Sequence, residues 1–183
     1  MGMSAELILV RHTRVAVAGV CYGHIDVPLA DGFGAEASQI KAQLADMGEA
    51  VYYTSPAQRC LVLAQYLAPH AQIDPRLAEM DFGAWEGMAW GAIGEPAITA
   101  WAHDFVNLQP PQGESYVQLA QRVSAFLNDM AQHPRVVVIT HAGVIRAVYA
   151  LLNGIALADS FMFQPACGGV YRYEVDVEQL KCI

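Results

Sequence analysis

Val136-Val137-Val138-Ile139-Thr140-His141-Ala142-Gly143 places four β-branched aliphatic residues just ahead of a histidine and two small residues. An apolar run that does not alternate with polar residues is a strand covered on both faces. It predicts a buried strand over 136–139, followed by a helix carrying Ile145, Val148 and Leu152. Leu7-Ile8-Leu9-Val10 has the same character and is followed at once by Arg11-His12. Val51-Tyr52-Tyr53-Thr54 reads as a further strand. Ser55-Pro56 then supplies an N-cap and a proline at the first helical position, ahead of a helix with Cys60, Leu61, Ala64 and Leu67 on its apolar face. Ile40, Leu44 and Met47 mark a helix that Gly48 ends. Ser115 and Gln118 form a capping box opening the helix of Leu119, Val123, Phe126, Leu127 and Met130. Val170 to Val175 reads as a closing strand. Strands alternating with helices predict an α/β sandwich, in which ligands gather at the carboxyl ends of the strands.

The 183 residues fit one domain spanning 1–183. The stretch at about 84–112 lacks sustained periodicity and contains Trp85, Trp90 and Trp101, so it reads as a lid or insertion over the site, with the tryptophans packing there. The longest apolar runs fall far short of the roughly 20 residues that cross a bilayer. Neither a signal peptide nor a transit peptide is visible at the start, so a cytoplasmic location is expected. A net charge of −8 with no Lys/Arg run argues against nucleic acid and anionic membranes as partners. Cys21, Cys60, Cys167 and Cys182 have no paired spacing, so no metal site is expected and the thiols read as idle.

If the strands at 7–10 and 136–139 are parallel neighbours, His12 and His141 face one pocket. Arg59, in the first turn of the helix after Thr54, leans back toward the same rim. Two arginines and two histidines at strand ends suit a phosphoryl group, because guanidinium forks match its oxygens and keep their charge. A neutral imidazole can attack phosphorus, and His12 is the candidate. A departing alkoxide needs a proton, which Glu79 can supply; Asp81 and Glu86 are nearby carboxylates.

Arg11-His12 after a strand, Thr54-Ser55-Pro56 leading to Arg59, Leu77-Ala78-Glu79-Met80-Asp81-Phe82-Gly83-Ala84-Trp85-Glu86-Gly87, Gly113-Glu114-Ser115 and Thr140-His141-Ala142-Gly143 together resemble the histidine phosphatase superfamily, also called phosphoglycerate-mutase-like. The resemblance implies a three-layer α/β/α sandwich with a mostly parallel central sheet and a phosphomonoesterase that needs no metal or other cofactor. It implies a phosphohistidine on His12, a phosphate pocket of Arg11, Arg59 and His141, and Glu79 as the acid. Thr13, Gly23 and His24 are further candidates for contacting phosphate or substrate. Thr13 stands where the family usually has Gly, and apolar residues around Val17 and Ala18 replace a frequent Asn. Cys21-Tyr22-Gly23-His24-Ile25-Asp26-Val27-Pro28-Leu29 resembles the α-ribazole phosphatase branch of cobalamin synthesis, which implies α-ribazole 5′-phosphate as the small-molecule substrate. The competing readings are a phosphoglycerate mutase, a broad-specificity phosphatase and a non-catalytic phosphate-binding module.

Overall fold

The computed structural model describes residues 4–180; Met1 to Met3 and Cys182 lie outside the described residues. Five strands, β1 (Ser4–Arg11), β2 (Val51–Thr54), β3 (Gln72–Ile73), β4 (Arg135–Thr140) and β5 (Val170–Asp176), form one sheet in the order β3-β2-β4-β1-β5. β1, β2, β3 and β4 run parallel, and β5 closes the sheet antiparallel to β1.

The absence of alternation in β1 and β4 has a direct structural cause. Leu7, Leu9, Val136 and Val138 pack into one apolar cluster with α4 (Tyr116–Met130) and α5 (Ala142–Asn153). Ile8, Val10, Val137 and Ile139 pack into another with α1 (Phe33–Gln43) and α2 (Gln58–Leu67). Every side chain of these two strands' centres is therefore covered by a helical layer, which makes the molecule a three-layer α/β/α sandwich. The capping box of Ser115 and Gln118 forms as expected at the start of α4.

The start of α2 differs from expectation. Its N-cap is Ala57, and the first helical N–H, of Gln58, donates to Asp26 Oδ1 at 2.8 Å, while among backbone N–H groups Ser55 Oγ accepts only that of Ala57, ahead of the helix, at 3.3 Å. A carboxylate from a distant loop thus does the work expected of the local serine. The buried face of α2 is also rotated: Leu63 is buried where Leu61 was expected, along with Cys60 and Ala64.

The 84–112 stretch folds into short 3₁₀ turns and α3 (Glu95–His103). Its start is tied to the loop after β1, because the Cys21 N–H donates to the Met88 carbonyl and the Gly87 N–H to the Cys21 carbonyl, both at 2.8 Å. Among the described residues, no helix is long and apolar enough to cross a membrane.

Candidate active site

Strand register brings the two histidines together. Arg11 pairs with Thr140 across the parallel β1–β4 ladder, so the next residue on each strand leaves the sheet at the same level. The His12 N–H donates to the Thr140 carbonyl at 3.0 Å, and the His12 and His141 rings sit edge to face with centroids 5.2 Å apart. On the other side of β4, the Ser55 N–H donates to the Ile139 carbonyl at 2.9 Å, which sets Ser55 Oγ 2.7 Å from His141 Nε2.

These contacts assign the protons of both rings. His12 Nδ1 lies 2.7 Å from the Thr13 carbonyl, an acceptor only, so Nδ1 carries the hydrogen and Nε2 keeps a lone pair. Burial pushes the His12 pKa down to about 3, with Arg11 and Arg59 adding to the effect and the Thr13 carbonyl opposing it, so the ring is neutral at physiological pH. Arg59 Nε lies 3.3 Å from His141 Nδ1 and can only donate. His141 therefore accepts at Nδ1 and donates from Nε2 to Ser55 Oγ. Burial, reinforced by Arg59, holds the His141 pKa well below the ordinary histidine value.

Arg59 is 1% exposed and anchors the loop after β1, with Nη1 donating to the Ile25 carbonyl at 3.0 Å and Nη2 to the Gly23 carbonyl at 2.6 Å. Gly23 permits this because its backbone presses against the next segment: a Cβ there would stand 1.8 Å from the Met80 carbonyl oxygen. Glu86 holds the same loop by accepting the N–H groups of His24, Ile25 and Phe82 at 2.8, 2.6 and 3.0 Å. Asp81 accepts the Gly83 N–H at 2.8 Å and faces exposed His24 at 3.8 Å. His24 and Gly23 border a depression that also touches Glu79, beside the cavity lined by His12. Thr13 is 1% exposed, and its hydroxyl has no hydrogen-bond partner among the described residues. Arg11 donates through Nη1 to the Pro165 carbonyl at 2.6 Å, while its buried Nε has no partner among the described residues.

Glu79 is held from three directions. Its Oε1 accepts the Met80 N–H at 3.0 Å, its Oε2 accepts the Gly143 N–H at 3.2 Å, and its carbonyl accepts Arg122 Nη2 at 3.0 Å. Arg122 also donates to the carbonyls of Arg76 and Ala78 and pairs with Glu114, whose carboxylate in turn accepts the Asp81 N–H. Glu114 thus braces the Glu79 segment from below.

His12, Arg11 and Glu79 line one cavity of about 290 Å³ whose remaining wall is largely aromatic, including Tyr22, Phe82, Trp90, Trp101, Tyr116 and Phe161. Sequence reasoning missed Arg146, which lines the same cavity, and Arg122, which supports it. Arg146 carried a visible signal as the lone charge among the apolar residues of α5. A wider depression of about 550 Å³ lies around Gly48–Tyr52 and His70, at the amino end of β2, away from these groups.

The model of the histidine phosphatase superfamily (branch 1) matches residues 7–182. The chain belongs to this superfamily. The histidine phosphatase is 34% identical over 159 residues to the metal-independent phosphoserine phosphatase of Arabidopsis thaliana, spanning 79% of this chain and 67% of that protein. It is 28% identical over 162 residues to the adenosylcobalamin/α-ribazole phosphatase of Escherichia coli (strain K12), spanning 81% and 79%. Among solved structures, an α-ribazole phosphatase from Shigella flexneri superposes with a TM-score of 0.82 at 26% identity, covering 91% of this chain and 89% of that one.

Proposed function

We propose that this histidine phosphatase is a metal-independent phosphomonoesterase that passes the phosphoryl group through Nε2 of His12. The observation that carries the reading is the 2.7 Å contact from His12 Nδ1 to the Thr13 carbonyl, in a ring that burial keeps neutral, because it leaves Nε2 as the basic nitrogen. Nε2 attacks phosphorus, the N–P bond forms as the P–O bond to the alcohol breaks, and Glu79 gives its proton to the leaving alkoxide. Water then attacks the phosphohistidine, Glu79 takes the water's proton, and inorganic phosphate leaves His12 neutral again.

The phosphoryl oxygens are served by the unpartnered Nε of Arg11, and Arg59, steadied by its bond to His141, adds positive charge to the site. The positive end of the α5 dipole, which starts beside His141, adds to this field. Thr13, next to His12, carries a buried hydroxyl without a partner among the described residues, and Gly23 and His24 shape the loop that borders the neighbouring depression. The substrate in this reading is α-ribazole 5′-phosphate, a small molecule met in the cytoplasm. Support comes from the Cys21-to-Leu29 loop, the likeness to the E. coli and Shigella phosphatases, and an aromatic wall suited to a base-bearing alcohol.

The test is incubation with α-ribazole 5′-phosphate, phosphoserine and 3-phosphoglycerate in EDTA, following inorganic phosphate and acid-quenched phosphoenzyme. The expected result is fastest release from the ribazole ester, unaffected by chelation, with the label on His12. Activity lost in EDTA and restored by zinc or magnesium would remove the metal-free mechanism. Isomer of 3-phosphoglycerate appearing ahead of phosphate would make the protein a mutase. Phosphate binding without turnover of any ester would leave a non-catalytic module.

A further inference from the structure

Three buried side-chain nitrogen or oxygen atoms lack a hydrogen-bond partner among the described residues: Arg11 Nε, Thr13 Oγ1 and Trp101 Nε1. The first two belong to His12's immediate neighbours in sequence. Trp101 does not; it sits on α3 and lines the cavity alongside Phe82 and Trp90. A buried donor left without an acceptor costs on the order of 1–3 kcal/mol, and buried tryptophans ordinarily find one. The open space that Trp101 borders is this cavity, which is where a small shift of the ring would let a bound group supply the missing acceptor.

Arg146 makes an independent case for the same region. Its Nε donates to the Phe163 carbonyl at 2.9 Å and its Nη2 to Gln164 Oε1 at 2.8 Å, and the guanidinium lies 4.7 Å from the Phe161 ring centroid. Nη1 has no hydrogen bond to the protein among the described residues, although Arg146 lines the cavity. A guanidinium fixed on an aromatic face with one edge unspent is preorganised for a planar partner. Size adds a third constraint. A three-carbon hydroxy acid would leave most of the aromatic wall facing water, whereas cavities of about this volume and character hold larger, partly apolar ligands.

We propose that Trp101 and Arg146 are specificity-determining residues that read the alcohol half of the substrate. Trp101 donates its indole N–H to a ring acceptor on a flat heteroaromatic group, and Arg146 presents its free guanidinium edge to that group. The assignment rests on the phosphomonoesterase reading only in placing the phosphate at the His12 end.

Calorimetric titration with dephosphorylated ligands tests it without any turnover. Benzimidazole riboside and indole riboside differ at one ring position, where an unprotonated nitrogen becomes C–H. The wild-type protein should bind the benzimidazole compound about tenfold more tightly. Trp101→Phe keeps the ring contacts and removes the N–H, so the two affinities should converge. Arg146→Met should weaken both nucleosides alike. Equal binding of the two nucleosides by the wild-type protein would overturn the proposal, and this comparison needs no variant to fold. An unchanged preference in Trp101→Phe, unaltered binding in Arg146→Met, or glycerate binding more tightly than either nucleoside would also overturn it. Intact discrimination without hydrolysis of any monoester would sink the phosphohistidine reading and leave this one standing.

Discussion

At the His12 end of the cavity most polar groups leave a strand or helix terminus and reach another protein atom, as His12 reaches Thr13 and His141 reaches Ser55 and Arg59. At the Trp101 end the wall comes largely from loops and short helices and is largely aromatic. Parallel register fixes the first region, since positions on neighbouring strands are set by the backbone ladder itself. Side-chain packing fixes the second, through edge-to-face contacts such as Phe82 with Trp90 and Trp85 with Trp101. A rigid end suits bond making and a variable end suits recognition, in keeping with the general division between scaffold and loops. Substitutions at the two ends should therefore fail differently.

The largest effect is expected at His12. His12→Ala removes the atom that forms the N–P bond, so kcat/KM should fall on the order of 10⁴-fold or more and the acid-quenched phosphoenzyme should vanish. His141→Ala, which removes a contact rather than the bond, should cost less and leave a trappable intermediate. Label appearing on His141 instead would reverse the two roles.

Glu79→Gln comes next. General acid assistance is worth about 10²–10⁴-fold, but only for an alkoxide that needs a proton. An alkyl phosphate should therefore slow far more than an aryl phosphate with an acidic leaving group, and the aryl ester should show a burst followed by slow dephosphorylation. Equal losses without a burst would reduce Glu79 to a positioning role. Asp81 and Glu86 would be poor replacements, because neither lines the cavity that holds His12 and Glu79.

Gly143→Ala tests the same carboxylate from the scaffold side. A Cβ on Gly143 would lie 2.2 Å from Glu79 Oε1, while Leu119 Cδ1 at 3.5 Å is an ordinary contact, so the carboxylate and not the core must yield. The N–H bond from Gly143 to Glu79 would be strained by the same shift. We expect an alkyl phosphate to slow by about tenfold to a hundredfold, an aryl phosphate by less, and the melting temperature to change little. Equal slowing of both esters would show that the substitution disturbs the phosphate end instead.

The contrast between the two ends also explains what could be read from sequence. Unbroken β-branched runs announce two-sided burial, and a histidine directly after each run is then placed by topology alone, so the sheet, His12 and His141 were legible. Arg59 was legible in position but not in its bonds, because the carbonyls of Gly23 and Ile25 come from a loop whose path follows no periodicity. Ser55 carried a genuine capping signal, yet its hydroxyl turns to His141 because Asp26, some thirty residues away in sequence, caps the helix. The same blindness hid the bracing role of Glu114 through Arg122. Trp101 and Arg146 were visible as residue types, but which faces they turn to a common cavity depends on packing between separate segments.

The smallest expected effect concerns stability against pH, and it tests the proton assignment on which the rigid end depends. An unfolded histidine titrates near 6.5, whereas burial, aided by Arg11 and Arg59, pushes folded His12 down to about 3. Between these values the unfolded chain binds the proton and the folded protein does not. Stability is therefore undiminished above about pH 6.5 and is lost as pH falls below it. His141 acts in the same direction, lowered first by burial and then by Arg59. Comparing pH 7 with pH 6 centres the measurement on histidines, since an ordinary carboxylate is already ionised across that interval. Over that interval one such histidine should cost somewhat under about 1 kcal/mol. His12→Asn should shrink the difference between urea unfolding free energies at pH 7 and pH 6 by that amount, whatever the substitution does to stability at pH 7. An unchanged difference would mean that His12 titrates in the folded protein much as it does in the unfolded chain, and burial would then not be what keeps its Nε2 lone pair free.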